Sequence, residues 1–144
     1  MRIVTVAAVG LFGASFAHAA SVAATAAWVR APAPGQAVAA AYVSLTADEA
    51  DQLVAIDAPG VGMAMLHESK ITNGVASMND VDTLALPAGH TVALSPGGMH
   101  IMLMDMDMAK PLVPGATLPI TLHFAHAKAL VVQAKIRPVS ATAP

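Results

Sequence analysis

Apolar and polar residues alternate over short stretches of this chain, and turn residues separate the stretches roughly every dozen positions. Successive side chains of an extended strand point to opposite faces, so this alternation predicts strands with one buried face. The predicted strands cover residues 28–32, 37–46, 52–57, 64–69, 91–94, 100–104, 118–124 and 130–136. No amphipathic helix of comparable length is indicated, and the pattern predicts an all-β sandwich or small barrel.

The N-terminus is typical of a secretory signal peptide. Arg2 supplies a positive charge, residues 3–16 are apolar, and Ala17-His18-Ala19 has the small-residue pattern of a cleavage site. A length of 144 residues is enough for one domain with its own core. We therefore predict a signal peptide at 1–19, one domain at 20–138 and a flexible tail at 139–144, with the periplasm as the location.

The remainder of the chain carries little charge and no cysteine. The full chain has a formal net charge of −2 with only seven Lys plus Arg, and aromatic residues make up 3%, so neither a phosphate-binding patch nor a base-stacking surface is indicated. After the signal, no apolar stretch reaches the roughly 18 residues of a spanning helix. We expect no nucleic-acid binding, no membrane span in the mature chain, and a fold stabilised by packing without disulfides.

Methionine and histidine are concentrated in one predicted strand. Five methionines and His100 fall within residues 99–108. In an extended strand His100, Met102 and Met104 share one face, while the two intervening aliphatic residues share the other and can face the core. An imidazole and a thioether about 6.5 to 7 Å apart along a strand favour copper(I) over magnesium, calcium or manganese, and zinc usually takes other donors.

A second predicted strand carries the same residue types. Met63, Met65 and His67 share a face if this segment is extended. Met78 follows the Asn73-Gly74 turn, and a chain reversal there returns Met78 toward His67. Residue types alone leave gap-filling core methionines as an alternative, because thioethers commonly pack in protein interiors.

Four of these residues have a family-specific spacing. Ten residues separate His67 from Met78, twenty-one separate Met78 from His100, and one separates His100 from Met102. This spacing resembles the ligand pattern of the periplasmic copper chaperones called PCuAC, and the resemblance covers nearly the whole chain after the signal. The matching flanks are Ala27-Trp28-Val29-Arg30-Ala31, Ala39-Ala40-Ala41-Tyr42, Leu66-His67-Glu68, Pro96-Gly97-Gly98-Met99-His100-Ile101-Met102-Leu103, Lys110-Pro111-Leu112 and Pro114-Gly115.

The resemblance implies a cupredoxin-like Greek-key β-sandwich that binds copper(I) near its surface. Carried over residue by residue, the implied ligands are His67, Met78, His100 and Met102, and Pro96-Gly97-Gly98 is the turn that presents the second pair. The implied role is delivery of copper to the copper centre of cytochrome c oxidase, with a Sco-type thiol protein as a further candidate partner. We expect a monomer.

Some residues depart from the family pattern. Met106 and Met108 extend the alternating methionine series where leucine or a basic residue is expected, and are interpreted as core or surface residues, with a loose secondary copper position as the alternative. His90, His123 and His126 fall outside the pattern, although His123 and His126 are close in sequence. No His- and Met-rich C-terminal extension is present in this sequence, so a copper(II) site there is not supported.

Two other functions remain open: a periplasmic copper buffer for resistance or storage, and a metal-free interaction module with core methionines. An enzyme is not expected, because no nucleophile is paired in sequence with a base and no phosphate-binding loop occurs. A blue-copper carrier needs a cysteine thiolate, which the chain lacks. Asp48, Glu49 and Asp51 are interpreted as a solvated turn.

Overall fold

The computed structural model describes residues 18–144. The predicted signal peptide lies outside the described residues except for His18 and Ala19, and the predicted domain and tail boundaries stay predictions. The described chain forms ten strands: β1 Val22–Arg30, β2 Ala39–Ala47, β3 Asp51–Asp57, β4 Val61–Thr72, β5 Val75–Val81, β6 Leu84–Leu86, β7 Thr91–Ala93, β8 Met99–Met106, β9 Thr117–Phe124 and β10 Leu130–Arg137. Within residues 18–144 there is no helix of the length and apolarity that crossing a bilayer requires.

The strands pair in the order β5-β4-β8-β2-β1-β10-β9-β3-β6, and β7 joins β2. The β1–β10 pair is parallel and the other strand pairs are antiparallel. Although β3 and β4 lie far apart in this order, they contact each other, so the hydrogen-bonded ladder folds over into a sandwich. The prediction of an all-β sandwich agrees with this architecture.

The core lies between the layers and is built almost entirely of aliphatic side chains. Leu45, Leu53, Leu103 and Leu122 are completely buried, and Ile101 is 1% exposed. Burying a side chain of this kind contributes about 1.5 to 3 kcal/mol each. This main core stabilises the domain without disulfides, since the chain has no cysteine.

The structure contains two strands that were not predicted, and it extends others. β5 was missed because almost all of its residues are exposed, which leaves no apolar alternation to detect. β4 continues to a two-residue turn in which Asn73 has φ 52° and Gly74 has φ 76°. Positive φ at both central residues is the type I′ geometry that favours Asn-Gly. β5 therefore returns directly along β4, as the prediction for Met78 requires.

The interpretation of Asp51 as part of a solvated turn is wrong. Its side chain is fully buried at the start of β3 and accepts backbone N–H bonds from Gln52 at 2.8 Å, His126 at 3.0 Å and Ala127 at 2.7 Å. Burial raises the pKa of Asp51, but these hydrogen bonds stabilise the carboxylate and together hold its pKa below the ordinary value. Asp51 thus fastens the loop after β9 to β3.

Candidate metal centre

The antiparallel pairing of β4 with β8 places two histidines opposite each other. His67 pairs with His100, and the ring centroids are 6.0 Å apart with the planes inclined at 52°. Directly opposed residues of two strands share a face. Leu66 and Ile101, the neighbouring pair on the same two strands, are 5% and 1% exposed and face the main core. The histidine pair therefore lies on the outer face of this layer, as the alternation in the sequence predicts for His100.

The turn before β8 orients the His100 ring. His100 is only 5% exposed, and its Nδ1 lies 3.1 Å from the Gly98 carbonyl oxygen. A carbonyl can only accept, so Nδ1 donates, and in the neutral ring Nε2 then keeps its lone pair. The same carbonyl accepts the backbone N–H of Ser69 at 3.1 Å, which ties the turn to β4. A hydrogen bond of this kind on the second ring nitrogen is typical of metal-binding histidines.

The His67 ring, unlike the His100 ring, is not held by a hydrogen bond within the part of the chain that the structure describes. Its side chain is 12% exposed, and neither ring nitrogen has a hydrogen-bond partner among the described residues. Nε2 lies 3.3 Å from Oδ1 of Asp80, the residue opposite on β5, but this contact lacks hydrogen-bond geometry. A buried polar group without a partner costs about 1 to 3 kcal/mol. A soft cation bound to this imidazole would remove part of that cost.

The two predicted thioether ligands lie on opposite sides of His67. Met102 is half-buried, follows His100 by two residues and is diagonal to His67 across the β4–β8 pair. Met78 lies on β5, where it pairs with Ser69 of β4. It is diagonal to His67 on the other side and is 51% exposed. Diagonal neighbours are about 7 to 8 Å apart. The structure thus brings His67, His100 and Met102 to adjacent positions and leaves Met78 one strand further out, so convergence of all four stays a prediction.

Met65 is a further thioether beside the histidines that the ligand prediction did not include. It pairs directly with Met102 and precedes His67 by two residues on the same face. The alternation of Met63, Met65 and His67 in the sequence already indicated this face, but the family spacing directed attention to Met78. Met65 is therefore available to the same ion.

An aromatic cluster packs beside His100. The Tyr42 ring centroid is 6.4 Å from that of His100, and Trp28 lies 4.5 Å beyond Tyr42. The Arg30 guanidinium covers both aromatic rings at 5.8 and 5.6 Å. Burial raises the pKa of Tyr42, and the positive charge of Arg30 partly offsets that effect. These residues are separate from the main core and support the His100 ring from the β1–β2 side.

The remaining histidines of the described chain do not join this site. His123 Nε2 lies 2.7 Å from Asp57, and His126 Nδ1 lies 3.2 Å from Asp51, so each ring has its own carboxylate. His90 is exposed. No group of three or more His, Cys, Asp or Glu suited to a metal occurs within residues 18–144. Beside the histidine pair lie the thioethers of Met65 and Met102 and the carboxylate of Asp80.

The last two methionines of the series differ from each other. Met106 packs against the main core and Met108 is 58% exposed in the loop after β8. Asp105, the penultimate residue of β8, has φ 51°, which interrupts the regular alternation of the strand. The interpretation of Met106 and Met108 as a core and a surface residue agrees with these positions.

Comparisons with known proteins place the chain in one group. A family model described as "Putative lipoprotein LpqE-like" matches residues 22–136. "Putative lipoprotein Lxx21020" of Leifsonia xyli subsp. xyli (strain CTCB07) is 34% identical over 99 residues, which cover 68% of this chain and 58% of that protein. The chain thus spans less than two thirds of the length of this curated relative.

Solved structures with the same fold carry PCuAC descriptions or are copper(I) forms. The "Apo PCuAC domain from PmoF1" is 29% identical with a TM-score of 0.67, over 81% of this chain and 93% of that domain. The copper(I) form of DR1885 from Deinococcus radiodurans is 32% identical with a TM-score of 0.62, over 88% of this chain and 83% of that protein. The predicted all-β fold and the resemblance to PCuAC domains are confirmed by these likenesses.

Proposed function

We propose, since the chain belongs to the LpqE-like family of PCuAC-type domains, that it binds one copper(I) ion and passes it to another protein. The single observation that carries this proposal is His67, an imidazole that is mostly buried yet has no hydrogen-bond partner among the described residues. It faces His100, whose Nε2 lone pair is also free. Two opposed imidazoles with unpaired ring nitrogens fit metal binding better than a purely structural role in packing.

The proposed ligands are His67, His100, Met102 and Met78. Imidazole and thioether donors together select copper(I) over hard cations. Thioethers are neutral and need no deprotonation, so binding by Met102 and Met78 releases no proton from sulfur. The solved PCuAC-type structures described as copper-bound support copper as the ion.

Exposure suggests which ligand leaves during transfer. Met78 is 51% exposed on β5, an edge strand that pairs only with β4, whereas His100 is 5% exposed. A partner thiolate or imidazole enters at the Met78 side, the copper–sulfur bond to Met78 breaks, and copper remains copper(I) throughout. The proposed acceptors are the copper domain of cytochrome c oxidase and a Sco-type thiol protein.

Export is part of this proposal. The predicted signal peptide at 1–19 and the lipoprotein description of the family and its relative support a location in the cell envelope, and we propose the periplasm. An oxidising compartment favours thioether ligands, because they cannot be lost to disulfide formation, although sulfoxide formation remains a hazard.

The binding test is a copper(I) titration of the reduced protein against a competing chelator. His67→Leu should abolish tight binding, whereas His123→Leu, which alters an exposed histidine paired with Asp57, should bind as the wild type does. Equal affinity of the His67→Leu variant and the wild type would refute the site.

The delivery test mixes the copper-loaded protein with the apo copper domain of cytochrome c oxidase and follows the metal after separation. Transfer supports the chaperone role. Copper that stays on this chain would refute delivery to that acceptor and favour the buffer alternative, while absence of binding would favour the metal-free module.

A further inference from the structure

Four methionines form two consecutive cross-strand pairs next to the histidine pair. Met65 pairs with Met102, and Met63 pairs with Met104, on β4 and β8. Positions two apart on a strand share a face. We call Met63, Met65, Met102 and Met104 the methionine ladder. It continues the outer face that begins with His67 and His100.

The ladder places four sulfur atoms within reach of one ion. Opposed residues have Cβ atoms about 4.5 to 5.5 Å apart, and neighbours on one strand are about 6.6 to 6.8 Å apart. Methionine has three rotatable side-chain bonds, so each thioether can turn toward the middle of this rectangle. A site of this kind needs no backbone movement.

The ladder does not belong to the main core. Met99 and Met106 of β8 pack against the main core, whereas the ladder residues do not. Met63 is 47% exposed, and the other three are half-buried. Gap filling in the interior, the ordinary role of methionine, therefore does not account for these four side chains.

The surroundings leave the ladder accessible. On one side Met102 pairs with Ala40 of β2, whose side chain is small. On the other side β5 ends at Val81, opposite Leu66, so the β4 segment with Met63 and Met65 has no neighbouring strand there. Asp82 lines the same surface hollow as Met65 and brings a negative charge near it. A cation that approaches from this side thus meets the thioether of Met65 and the carboxylate of Asp82.

We propose that the methionine ladder is a second binding position for a soft monovalent cation, copper(I) or silver(I), held by thioethers alone. It goes beyond the proposed function because it requires neither histidine. Met102 belongs to both positions, so two bound ions compete for its sulfur and the second ion binds more weakly. The ladder offers an ion a route along the surface from the histidine pair toward Met63.

The test is a silver(I) titration of the full chain carrying carbon-13 in the methionine methyl groups. Silver(I) has the soft character of copper(I) and does not change oxidation state, so methionine oxidation does not interfere. The wild type should bind two silver ions, and the methyl signals of Met63 and Met104 should shift with the second ion. Methyl signals of Met63 and Met104 that do not move at any silver concentration would overturn the proposal.

Three variants separate the two sites. Met63→Leu/Met104→Leu should lose one ion and keep the other, while the control Met99→Leu/Met106→Leu should keep both. His67→Leu should retain the ladder ion. Silver binding that Met63→Leu/Met104→Leu leaves unchanged refutes the ladder alone, and binding that His67→Leu leaves unchanged refutes the proposed histidine site alone.

Discussion

Replacement of His67 by leucine should make the metal-free protein more stable while it abolishes the tight binding of copper(I) at the histidine pair. The imidazole is mostly buried, and neither nitrogen has a hydrogen-bond partner among the described residues. An unsatisfied buried group of this kind costs about 1 to 3 kcal/mol, whereas leucine has a similar volume and no polar atom. We expect the free energy of unfolding to rise by about 1 kcal/mol, which corresponds to about 3 to 6 °C in Tm for a domain of this size.

His100→Leu is the matched comparison, and its effect should have the opposite sign. This change removes the Nδ1–H bond to Gly98 and the contact with Tyr42. The Gly98 carbonyl keeps the Ser69 N–H, so it is not left unpaired. The net loss should be about 1 to 2 kcal/mol, mostly from one hydrogen bond and poorer packing.

Urea unfolding with a metal chelator, followed by Trp28 fluorescence, measures both variants. Both variants and the wild type are measured at the same pH and ionic strength. Copper(I) at about 100 times the Kd of the histidine site should stabilise the wild type by about 2.7 kcal/mol and should stabilise both variants much less. A loss of stability in His67→Leu as large as that in His100→Leu would contradict the account of an unsatisfied ring.

Three further predictions concern other parts of the molecule. Gly62→Ala should lower the free energy of unfolding by about 1 to 3 kcal/mol, because its Cβ would lie 2.8 Å from the Asp105 Cβ and 3.1 Å from the Asp105 oxygen. Gly98→Ala is the control, since its Cβ approaches no atom closer than 3.7 Å; an equal loss in both would refute the steric argument. Asp51→Asn should cost about 1.5 to 3 kcal/mol at neutral pH. The folded-state pKa of Asp51 is lowered. The extra stability of the wild type over Asp51→Asn should therefore begin to shrink below about pH 4 and vanish as the pH falls through the folded pKa. Urea midpoints of the two proteins that differ equally at all pH values would argue against a stabilising carboxylate. Met78→Leu should weaken copper(I) binding at least about tenfold, or 1.4 kcal/mol. The free energy of unfolding should hardly change, because the side chain is 51% exposed. Unchanged affinity in the chelator competition would remove Met78 from the ligand set.

The sequence predicted best where one face of a strand is buried. Ile101 and Leu103 are the apolar positions of β8, and their burial fixes which face carries His100 and Met102. The Asn-Gly turn likewise predicted the reversal that returns Met78 along β4. Local alternation and turn chemistry determined both features, so no long-range information was needed.

Other features depend on long-range contacts that no local pattern encodes. β5 is exposed, so its pairing with β4 leaves no hydrophobic trace in the sequence. The buried state of Asp51 depends on backbone N–H groups 75 and 76 residues later in the chain. The pairing of Met65 with Met102 required the β4–β8 register, which the sequence does not state.

The register of two strand pairs connects the core to the site. A slip of one residue between β4 and β8 would turn Leu66 to the outer face and His67 toward the main core, so the aliphatic core face maintains the opposition of His67 and His100. The position of Met78 has no such support, because β5 buries almost nothing. It depends on the two-residue turn after β4, and one inserted residue there would send Met78 to the other face. The core therefore fixes the positions of the two histidines, whereas the position of Met78 depends on a single turn, which is the arrangement expected if Met78 is the ligand that exchanges.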